Sequence, residues 1–235
     1  ILQKRQIEKL KQQLKTNELI QKNTSLVRLT YIDFDDKNSS DIIKWYKDFF
    51  ELFLNHKVFS DKILDLNIDL YKSKGDVRWK LYWKKIKLYE IFSRDKIEVF
   101  SVFIHEFWHF IDLYYFPKNI IRDISDDFYK ISWDDKKLLS WQKTNDFVTG
   151  YSMSNKYEDF AESFLFYILF NNEFLEKSKD SDILKKKYDF FTNYVFTKWE
   201  FINTSFSLNN NFSQYIRDST KLSYNLENLL KYLKK

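Results

Sequence analysis

The stretch His105-Glu106-Phe107-Trp108-His109 lies in an apolar segment, Val99 to Phe116, and it decides the predicted fold and chemistry. In a helix, positions four apart lie on one face, so the rings of His105 and His109 point to one centre. Glu106 lies one position round the helix, beside that centre. Two neutral imidazoles and a nearby carboxylate that does not itself bind the metal are what a catalytic zinc ion requires. The stretch therefore predicts a zinc site on a buried helix.

The same pattern can arise by chance, and single histidines on apolar helices are more often core residues than ligands. However, the chain has three histidines, and two of them have ligand spacing with a glutamate at the useful position. Buried imidazoles and carboxylates must also be paired or bound to a metal. The chain has no cysteine, so histidine and carboxylate side chains are the available zinc ligands. We interpret the third histidine, His56, as a surface or capping residue.

The composition indicates a folded chain with a sizeable core. Of its 235 residues, 44% are hydrophobic and 20% are aromatic. Two glycines and one proline favour long helices with few tight turns. The net charge of +5 comes from 39 basic and 34 acidic residues scattered along the chain. Because no basic block is visible, we do not expect nucleic acid as a partner.

The sequence contains no candidate transmembrane segment, because its longest uninterrupted apolar run, Phe164 to Phe170, is too short to cross a bilayer. It contains no recognisable secretory signal either. The chain begins at Ile1 without a methionine, so we expect a processed or trimmed piece that has lost a signal or anchor. That expectation suits a secreted or surface-associated protein. The pattern gives no indication of oligomeric state.

The first half is predicted to be a small mixed sheet with a backing helix and the His-Glu-x-x-His helix. Residues 1–25 have the spacing of a separate amphipathic helix, and one domain is expected over 26–235. A strand over 26–34 precedes a helix that is capped by Ser39 or Ser40 and ends near Asn55. Strands over 63–71 and 77–83 are predicted to form a hairpin across the turn at 73–76, with a further strand over 86–92.

The second half, 118–235, is predicted to be a helical lobe, which makes the fold class α+β and mostly helical. The predicted helices cover 120–129, 155–171, 173–199 and 225–233. Glu158 and Glu162 lie four apart on one face of the second of these helices, so spacing alone permits either to bind the metal. Glu158 also fits as a capping-box partner of Asn155, which would occupy its carboxylate.

These patterns together resemble the gluzincin metallopeptidases, of the kind that includes the anthrax lethal factor catalytic domain and the clostridial Pro-Pro endopeptidases. The resemblance rests on His105-Glu106-x-x-His109, on Tyr151 seven residues ahead of Glu158, and on Glu158-Asp-Phe-Ala-Glu162-x-Phe, within about residues 60–175. It implies a zincin-like fold in which Glu158 is the third zinc ligand, Glu162 supports a ligand histidine and Tyr151 hydrogen-bonds the reacting oxygen. Trp108 is a departure from the family pattern, in which a small residue is expected immediately before the second histidine.

The predicted activity is endopeptidase hydrolysis by a zinc-activated water that Glu106 deprotonates. Asp112, one turn after His109, is either a hydrogen-bond partner of a ligand histidine or an ordinary carboxylate. The partner would be an extended peptide or protein substrate that pairs with the sheet edge near 77–83 or 86–92. The alternatives are a catalytically idle module stabilised by zinc, and a basic nucleic-acid-associated protein.

Overall fold

The computed structural model of the chain describes residues 28–33, 40–60, 65–77, 79–116 and 123–235. The helix predicted over 1–25 lies outside them. The strands are β1 (Arg28–Ile32), β2 (Asn67–Tyr71), β3 (Trp79–Tyr82), β4 (Lys85–Leu88), β5 (Trp133–Asp134) and β6 (Lys137–Leu138). The α-helices are α1 (Ser40–Leu54), α2 (Lys96–Tyr114), α3 (Ile124–Ser132), α4 (Lys156–Leu169), α5 (Asn171–Ser178), α6 (Asp182–Phe190) and α7 (Leu226–Leu233). Within these residues, no helix is both long and apolar enough to cross a bilayer.

A mixed sheet of four strands has the order β1-β2-β4-β3. Strands β1, β2 and β4 run parallel, while β3 lies at the edge and runs antiparallel to β4. One face of the sheet is part of the core, because Ile68, Leu70, Ile86 and Leu88 are all buried. The predicted α+β, mostly helical class with a small mixed sheet is therefore confirmed. The domain boundaries stay a prediction.

The predicted hairpin between the strands at 63–71 and 77–83 is wrong. Strand β2 pairs in parallel with both β1 and β4, and β3 instead reaches β4 through a tight turn at Trp83 and Lys84. Trp83 adopts φ 54°, the left-handed conformation that two-residue hairpin turns require. The middle of β2 is buried, and a buried strand needs hydrogen-bond partners on both edges. Side-chain alternation does not reveal which neighbour supplies them.

Helix α1 matches its prediction closely and packs an aromatic face on α2. The ring centroids of Phe50 and Phe103 are 4.6 Å apart, and Phe53 meets Phe107 edge to face at 5.7 Å. All four rings are fully buried. Burial of each such side chain contributes about 1.5–3 kcal/mol, so this aromatic layer holds α2 firmly against the first half of the chain.

Helix α2 carries the His-Glu-x-x-His stretch, as predicted. It begins after Asp95, whose carboxylate accepts a hydrogen bond from the N–H of Ile97 at 2.8 Å. On the side away from α1 it packs against α4, where the Trp108 ring stacks on Phe164 with centroids 4.0 Å apart. The large Trp108 side chain thus fills the interface between the two helices that carry the predicted metal ligands.

The single helix predicted over 173–199 is wrong. Helix α5 ends at Ser178, and α6 begins at Asp182 behind Ser181, whose hydroxyl accepts from the N–H of Leu184 at 3.1 Å. Helix α6 then continues into a π-helical turn, Phe191–Val195. Ser181 caps the start of α6 only three residues after α5 ends, and so short a break leaves little trace in the apolar periodicity. The predicted helices from Asn155 and over 225–233 are confirmed as α4 and α7.

The interpretation of His56 as a surface or capping residue is wrong. Its side chain is buried, and its ring lies near those of Phe59, Phe201 and Tyr232 at centroid distances of 6.0, 6.0 and 6.3 Å. Burial, with a smaller contribution from Lys57, lowers its pKa below the ordinary histidine value. His56 is thus a neutral core residue, packed where α1 and α7 meet.

Candidate metal centre

Helix α2 directs two imidazole rings to one centre. The Nε2 atoms of His105 and His109 are 3.1 Å apart, and the ring centroids are separated by 4.9 Å. His105 is 2% exposed, so water barely reaches its ring, whereas His109 is partly exposed. The two rings therefore have the convergence that their spacing predicts, at the floor of an accessible site.

The third group of the site is Glu158, in the first turn of α4. Its Oε2 atom lies 2.9 Å from Nε2 of His105 and 3.4 Å from Nε2 of His109. Asn155 caps the helix with its side-chain oxygen, which accepts hydrogen bonds from the N–H groups of Tyr157 and Glu158. The cap uses the backbone of Glu158, so the carboxylate faces the histidines.

The three groups form a His-His-Glu cluster, His105, His109 and Glu158, that could hold a metal ion. Nδ1 of His105 lies 3.1 Å from a carboxylate oxygen of Glu162, which accepts hydrogen bonds, so Nδ1 carries the proton of the neutral ring. Nε2 of His105 then directs a lone pair at Glu158, and the two repel unless a cation lies between them. Ligand atoms of a tetrahedral zinc lie roughly 3.3 Å apart. The observed separations of 2.9, 3.1 and 3.4 Å fit that geometry.

The protonation of His105 and Glu158 in the metal-free protein agrees with a cation-binding site. Burial alone would lower the pKa of His105, but its hydrogen bonds to Glu158 and Glu162 outweigh burial and raise that pKa well above the ordinary value. Burial would raise the pKa of Glu158, yet the two histidines hold it well below its usual range. A proton on His105 thus occupies the position of a bound cation, and metal binding releases such protons.

Glu162 supports His105 from the side away from the cluster. One oxygen accepts from Nδ1 of His105, and the other accepts from the Thr149 hydroxyl at 2.7 Å and the Ser219 N–H at 2.9 Å. The carboxylate is completely buried, a state that is stable only when its oxygens are well hydrogen-bonded. Two separate segments of the chain, those of Thr149 and Ser219, therefore orient the carboxylate that orients His105.

Glu106 is buried beside the cluster, one position along α2 from His105. Burial raises its pKa above the ordinary value, although the two histidines and a hydrogen bond from the Leu81 N–H oppose the shift. Leu81 belongs to β3, so the edge strand contacts this carboxylate directly. A carboxylate with a raised pKa is suited to accept and then donate a proton near neutral pH.

Tyr151 lies at the rim of the site, with its ring centroid 6.1 Å from that of His105 and its side chain 40% exposed. Burial, followed by the charges of Glu158, Glu106 and Glu162, raises its pKa to about 12. The phenol is therefore protonated across the physiological range and can donate a hydrogen bond. The backbone N–H of Tyr151 donates to the carbonyl of Arg217 at 2.7 Å, which fixes the position of the residue.

Asp112 is buried one turn after His109 and accepts a short hydrogen bond from the Tyr129 hydroxyl. Burial raises its pKa, and the neighbouring hydroxyls of Ser125 and Tyr129 and the charge of His109 oppose that shift. The direct hydrogen bond of Asp112 thus goes to Tyr129 on α3. Its effect on His109 is electrostatic in this structure, and the predicted support of a ligand histidine stays a prediction.

A cleft of about 760 Å³ opens over the cluster, between β3 and the segment 211–222. Its lining includes His105 and Tyr151 at the floor, Trp79 on the β3 side and Arg217 on the opposite side. The segment 211–222 forms one wall of the cleft, and its position depends on Gly150. A Cβ atom at Gly150 would lie 1.7 Å from the Tyr215 hydroxyl oxygen. The N–H of Gly150 also donates to the carbonyl of Ile216 at 2.8 Å.

Sequence reasoning missed Thr149 and Ser219, the two residues that hold Glu162. Ser219 contributes a backbone N–H, which leaves no signature in residue type, and it lies 57 positions from its partner. Thr149 lies two positions before Tyr151, so a search for hydroxyl donors near the predicted site would have found it. The predicted site residues Glu106, Tyr151 and Glu162 all lie around the His-His-Glu cluster.

The fold has a counterpart among solved structures. A crystal structure from Bacteroides caccae, described as a candidate zinc-binding metallo-peptidase, superposes with a TM-score of 0.50 at 18% sequence identity. The match covers 88% of this chain and 84% of that one. No protein-family model matches the sequence, and no curated protein matches it significantly. At this identity the likeness is one of fold, a metallopeptidase-like fold, and it does not extend to the lethal factor family in particular.

A buried ion pair fixes the start of α4 next to Glu158. Nζ of Lys187 lies 2.9 Å from a carboxylate oxygen of Asp159, and both side chains are 0% exposed. The same ammonium donates to the carbonyl of Asp146 at 3.0 Å, in the loop that leads to Tyr151. Trp133 adds a hydrogen bond to Asp159 at 2.9 Å. One lysine thus connects the two segments that carry Glu158 and Tyr151.

Lys187→Met is expected to destabilise the protein by about 3–5 kcal/mol, because it leaves the Asp159 carboxylate buried without a counter-charge. Urea unfolding measures the effect. The double variant Lys187→Met/Asp159→Leu should recover most of the loss, since an apolar pair tolerates burial. As a control, Lys185→Met removes an exposed partner of Asp189 on the same helix and should cost less than about 1 kcal/mol. Equal losses for the two lysines would contradict the prediction.

Proposed function

We propose that the protein is a zinc-dependent endopeptidase. The observation that carries the proposal is the meeting of five groups around one centre: the His-His-Glu cluster, Glu106 and Tyr151. Ligands alone would suit a structural metal. A buried carboxylate beside them and a protonated phenol at the rim are the further parts that hydrolysis of an amide needs.

His105 and His109 would hold the zinc ion through Nε2, and Glu158 through Oε2, and three protein ligands would leave room on the ion for water or substrate. When bound, zinc lowers the pKa of water and polarises a carbonyl group. Glu162 keeps the His105 ring in the tautomer whose Nε2 is available, because it accepts from Nδ1. The fold likeness to a candidate zinc-binding metallo-peptidase supports the choice of metal.

Glu106 takes the proton from the attacking water and passes it to the leaving amine. Its burial and its hydrogen bond from Leu81 hold the carboxylate in place and keep its proton affinity above that of an exposed glutamate. Tyr151 donates to the oxygen on which negative charge develops. Because its backbone is hydrogen-bonded to Arg217, little reorganisation is needed at the moment of reaction.

The substrate is an extended peptide that pairs with the outer edge of β3. Of the two strands that the sequence offered for this role, β4 has β2 on one side and β3 on the other, so its hydrogen-bonding edges are both occupied. Strand β3 is at the edge of the sheet and reaches the cleft through Trp79. Its contact with Glu106 through Leu81 brings a chain lying along that edge close to the base.

The test is metal analysis combined with a peptide-library cleavage screen. We expect about one zinc per chain, peptide fragments detected by mass spectrometry, loss of cleavage on chelation, and recovery when zinc is added back. A protein that binds zinc stoichiometrically yet cleaves no peptide would reject the endopeptidase and favour the idle, zinc-stabilised module.

Tyr151→Phe is expected to lower kcat by about 10²-fold or more, with little change in KM or zinc content, because a donor to the developing oxyanion is lost. Steady-state kinetics on a peptide from the screen, with metal analysis of the same preparation, measure this. Tyr194→Phe removes the hydroxyl of a tyrosine that does not line the cleft and should leave kcat unchanged. Loss of metal, or an unchanged kcat, in the Tyr151 variant would make Tyr151 a packing residue.

A further inference from the structure

Two lysines face each other across the outer surface of the sheet. Lys80 on β3 lies directly opposite Lys87 on β4, and both alternate along their strands with residues directed inward. Like charges at opposite positions of an antiparallel pair destabilise a sheet. Among the residues that the structure describes, no carboxylate forms an ion pair with either ammonium group. Aromatic rings rather than carboxylates accompany the pair, since Nζ of Lys87 lies 5.9 Å from the centre of the Tyr71 ring.

The other two lysines of this hairpin are neutralised. Lys85 pairs with Asp69 at 2.9 Å, and Lys84 pairs with Asp65 at 3.3 Å. Strand β2 and the residues just before it therefore provide carboxylates for the lysines near the turn of the hairpin but not for the opposed pair. Because neighbouring lysines have carboxylate partners and Lys80 and Lys87 do not, the positive charge is concentrated at these two positions and is not a general property of the surface.

The opposed lysines line a groove of about 500 Å³ on the outer face of the sheet. The loop at Gly75 forms one wall, where a Cβ atom would lie 2.7 Å from the Tyr89 ring and the chain therefore packs directly on it. Nζ of Lys80 lies 5.8 Å from the centre of the Tyr82 ring, so the ammonium group is held over an aromatic face. Asp76 also lines the groove, which leaves the two lysines in excess.

This groove is continuous with the candidate active site. Trp79 lines it, lines a neighbouring groove of about 510 Å³ that reaches Tyr151, and also lines the cleft over His105. A peptide that leaves the cleft along the edge of β3 would therefore pass Trp79 and reach Lys80.

We propose that Lys80 and Lys87 bind an anionic side chain of the peptide substrate, a carboxylate or a phosphate, at a fixed number of residues from the scissile bond. The inference rests on the proposed endopeptidase function and names the class of its substrate. Two ammonium groups that line one groove attract an anion more strongly than either lysine alone, and a bound anion reduces their mutual repulsion.

Peptide binding to the zinc-loaded Glu106→Gln full chain tests the proposal, because this variant should bind substrate without cleaving it. The probes are fluorescent peptide pools in which one position, moved stepwise along the peptide, is Glu, phosphoserine or Gln among neutral residues. We expect one position at which an anionic residue tightens binding by about tenfold, as two partly exposed ion pairs would do. Lys80→Gln/Lys87→Gln should remove that preference, and the Glu and phosphoserine pools distinguish the two anions.

Two further variants separate a built subsite from general charge attraction. Lys231→Gln makes the same charge change on α7 and should keep the preference. Lys80→Glu places opposite charges across the strands, so it should raise the midpoint of thermal unfolding while it abolishes the anion preference. A preference that survives in the double variant, or equal tightening at every position, would overturn the proposal. If the unaltered chain binds peptides in an anion-dependent way but hydrolyses none, the proposed endopeptidase function is rejected. The proposed binding of an anionic side chain in the groove then still stands.

Discussion

Glu106→Gln is expected to keep its zinc and to lose about 10³-fold or more of its turnover. Glutamine has nearly the same shape as glutamate and can accept the hydrogen bond from Leu81, but it cannot take a proton from water. The carboxylate is not part of the His-His-Glu cluster, so its replacement leaves the three ligand atoms in place. General acid–base groups typically contribute 10²–10⁴-fold, and this one serves both the attack and the departure of the amine.

The measurement is kcat/KM for a library-derived peptide, with zinc content and thermal unfolding determined on the same sample. Glu51→Gln, on α1 in an ion pair with Lys47, makes the same chemical change away from the cleft and should retain full activity. Full activity in a zinc-loaded, folded Glu106→Gln protein would refute the assignment of the base. Loss of zinc would instead make Glu106 part of the metal site.

Glu158→Ala is expected to abolish tight zinc binding, whereas Glu162→Ala should weaken it by only about 10- to 100-fold. Glu158 supplies one of three ligand atoms, and two histidines alone do not make a tight site. Glu162 touches the far nitrogen of His105, and losing such an outer partner usually costs that smaller factor. The comparison decides between two carboxylates that lie four residues apart on one helix face.

Competition with a chromophoric chelator measures both affinities. Glu162→Gln is the matched control for the second variant, since an amide oxygen can still accept one of the buried hydrogen bonds from Thr149 and Ser219. Circular dichroism identifies any variant that fails to fold, because Glu162→Ala leaves three buried donors without their acceptor. Equal affinity losses for Glu158→Ala and Glu162→Ala would overturn the assignment of Glu158 as ligand.

The sequence predicted those parts of the site that local rules govern. The spacing of His105 and His109, the Asp95 cap and the Asn155 cap each depend on residues within a few positions, and helix geometry converts that spacing into position. The choice between Glu158 and Glu162 was beyond spacing. It depended on the place of Glu158 in the first turn of its helix, next to the loop that carries Tyr151, and on a resemblance that favoured the same residue. The structure adds the observation that Asn155 caps α4 by accepting from backbone N–H groups and leaves the Glu158 carboxylate facing the histidines.

The errors concern contacts between distant parts of the chain. The hairpin of β2 and β3 was the simplest pairing of neighbours in sequence, but the burial of β2 requires partners on both edges, and these are β1 and β4. His56 was judged by its position at a helix end, whereas Phe201 and Tyr232, far along the chain, bury it. Residues of the segment 211–222 entered the site unpredicted because Ser219 and Arg217 act through backbone atoms.

The contact between Gly150 and Tyr215 restricts how the protein can diverge. Gly150 has an ordinary φ of −69°, so it is required for space and not for conformation. Any side chain at Gly150 would displace the segment 215–217, in which the carbonyl groups of Ile216 and Arg217 accept from the N–H groups of Gly150 and Tyr151. A substitution at Gly150 would therefore change both the width of the cleft and the orientation of the Tyr151 side chain. If the proposed activity holds, new specificities are more accessible through exposed residues such as Arg217, which can vary without moving the proposed catalytic groups.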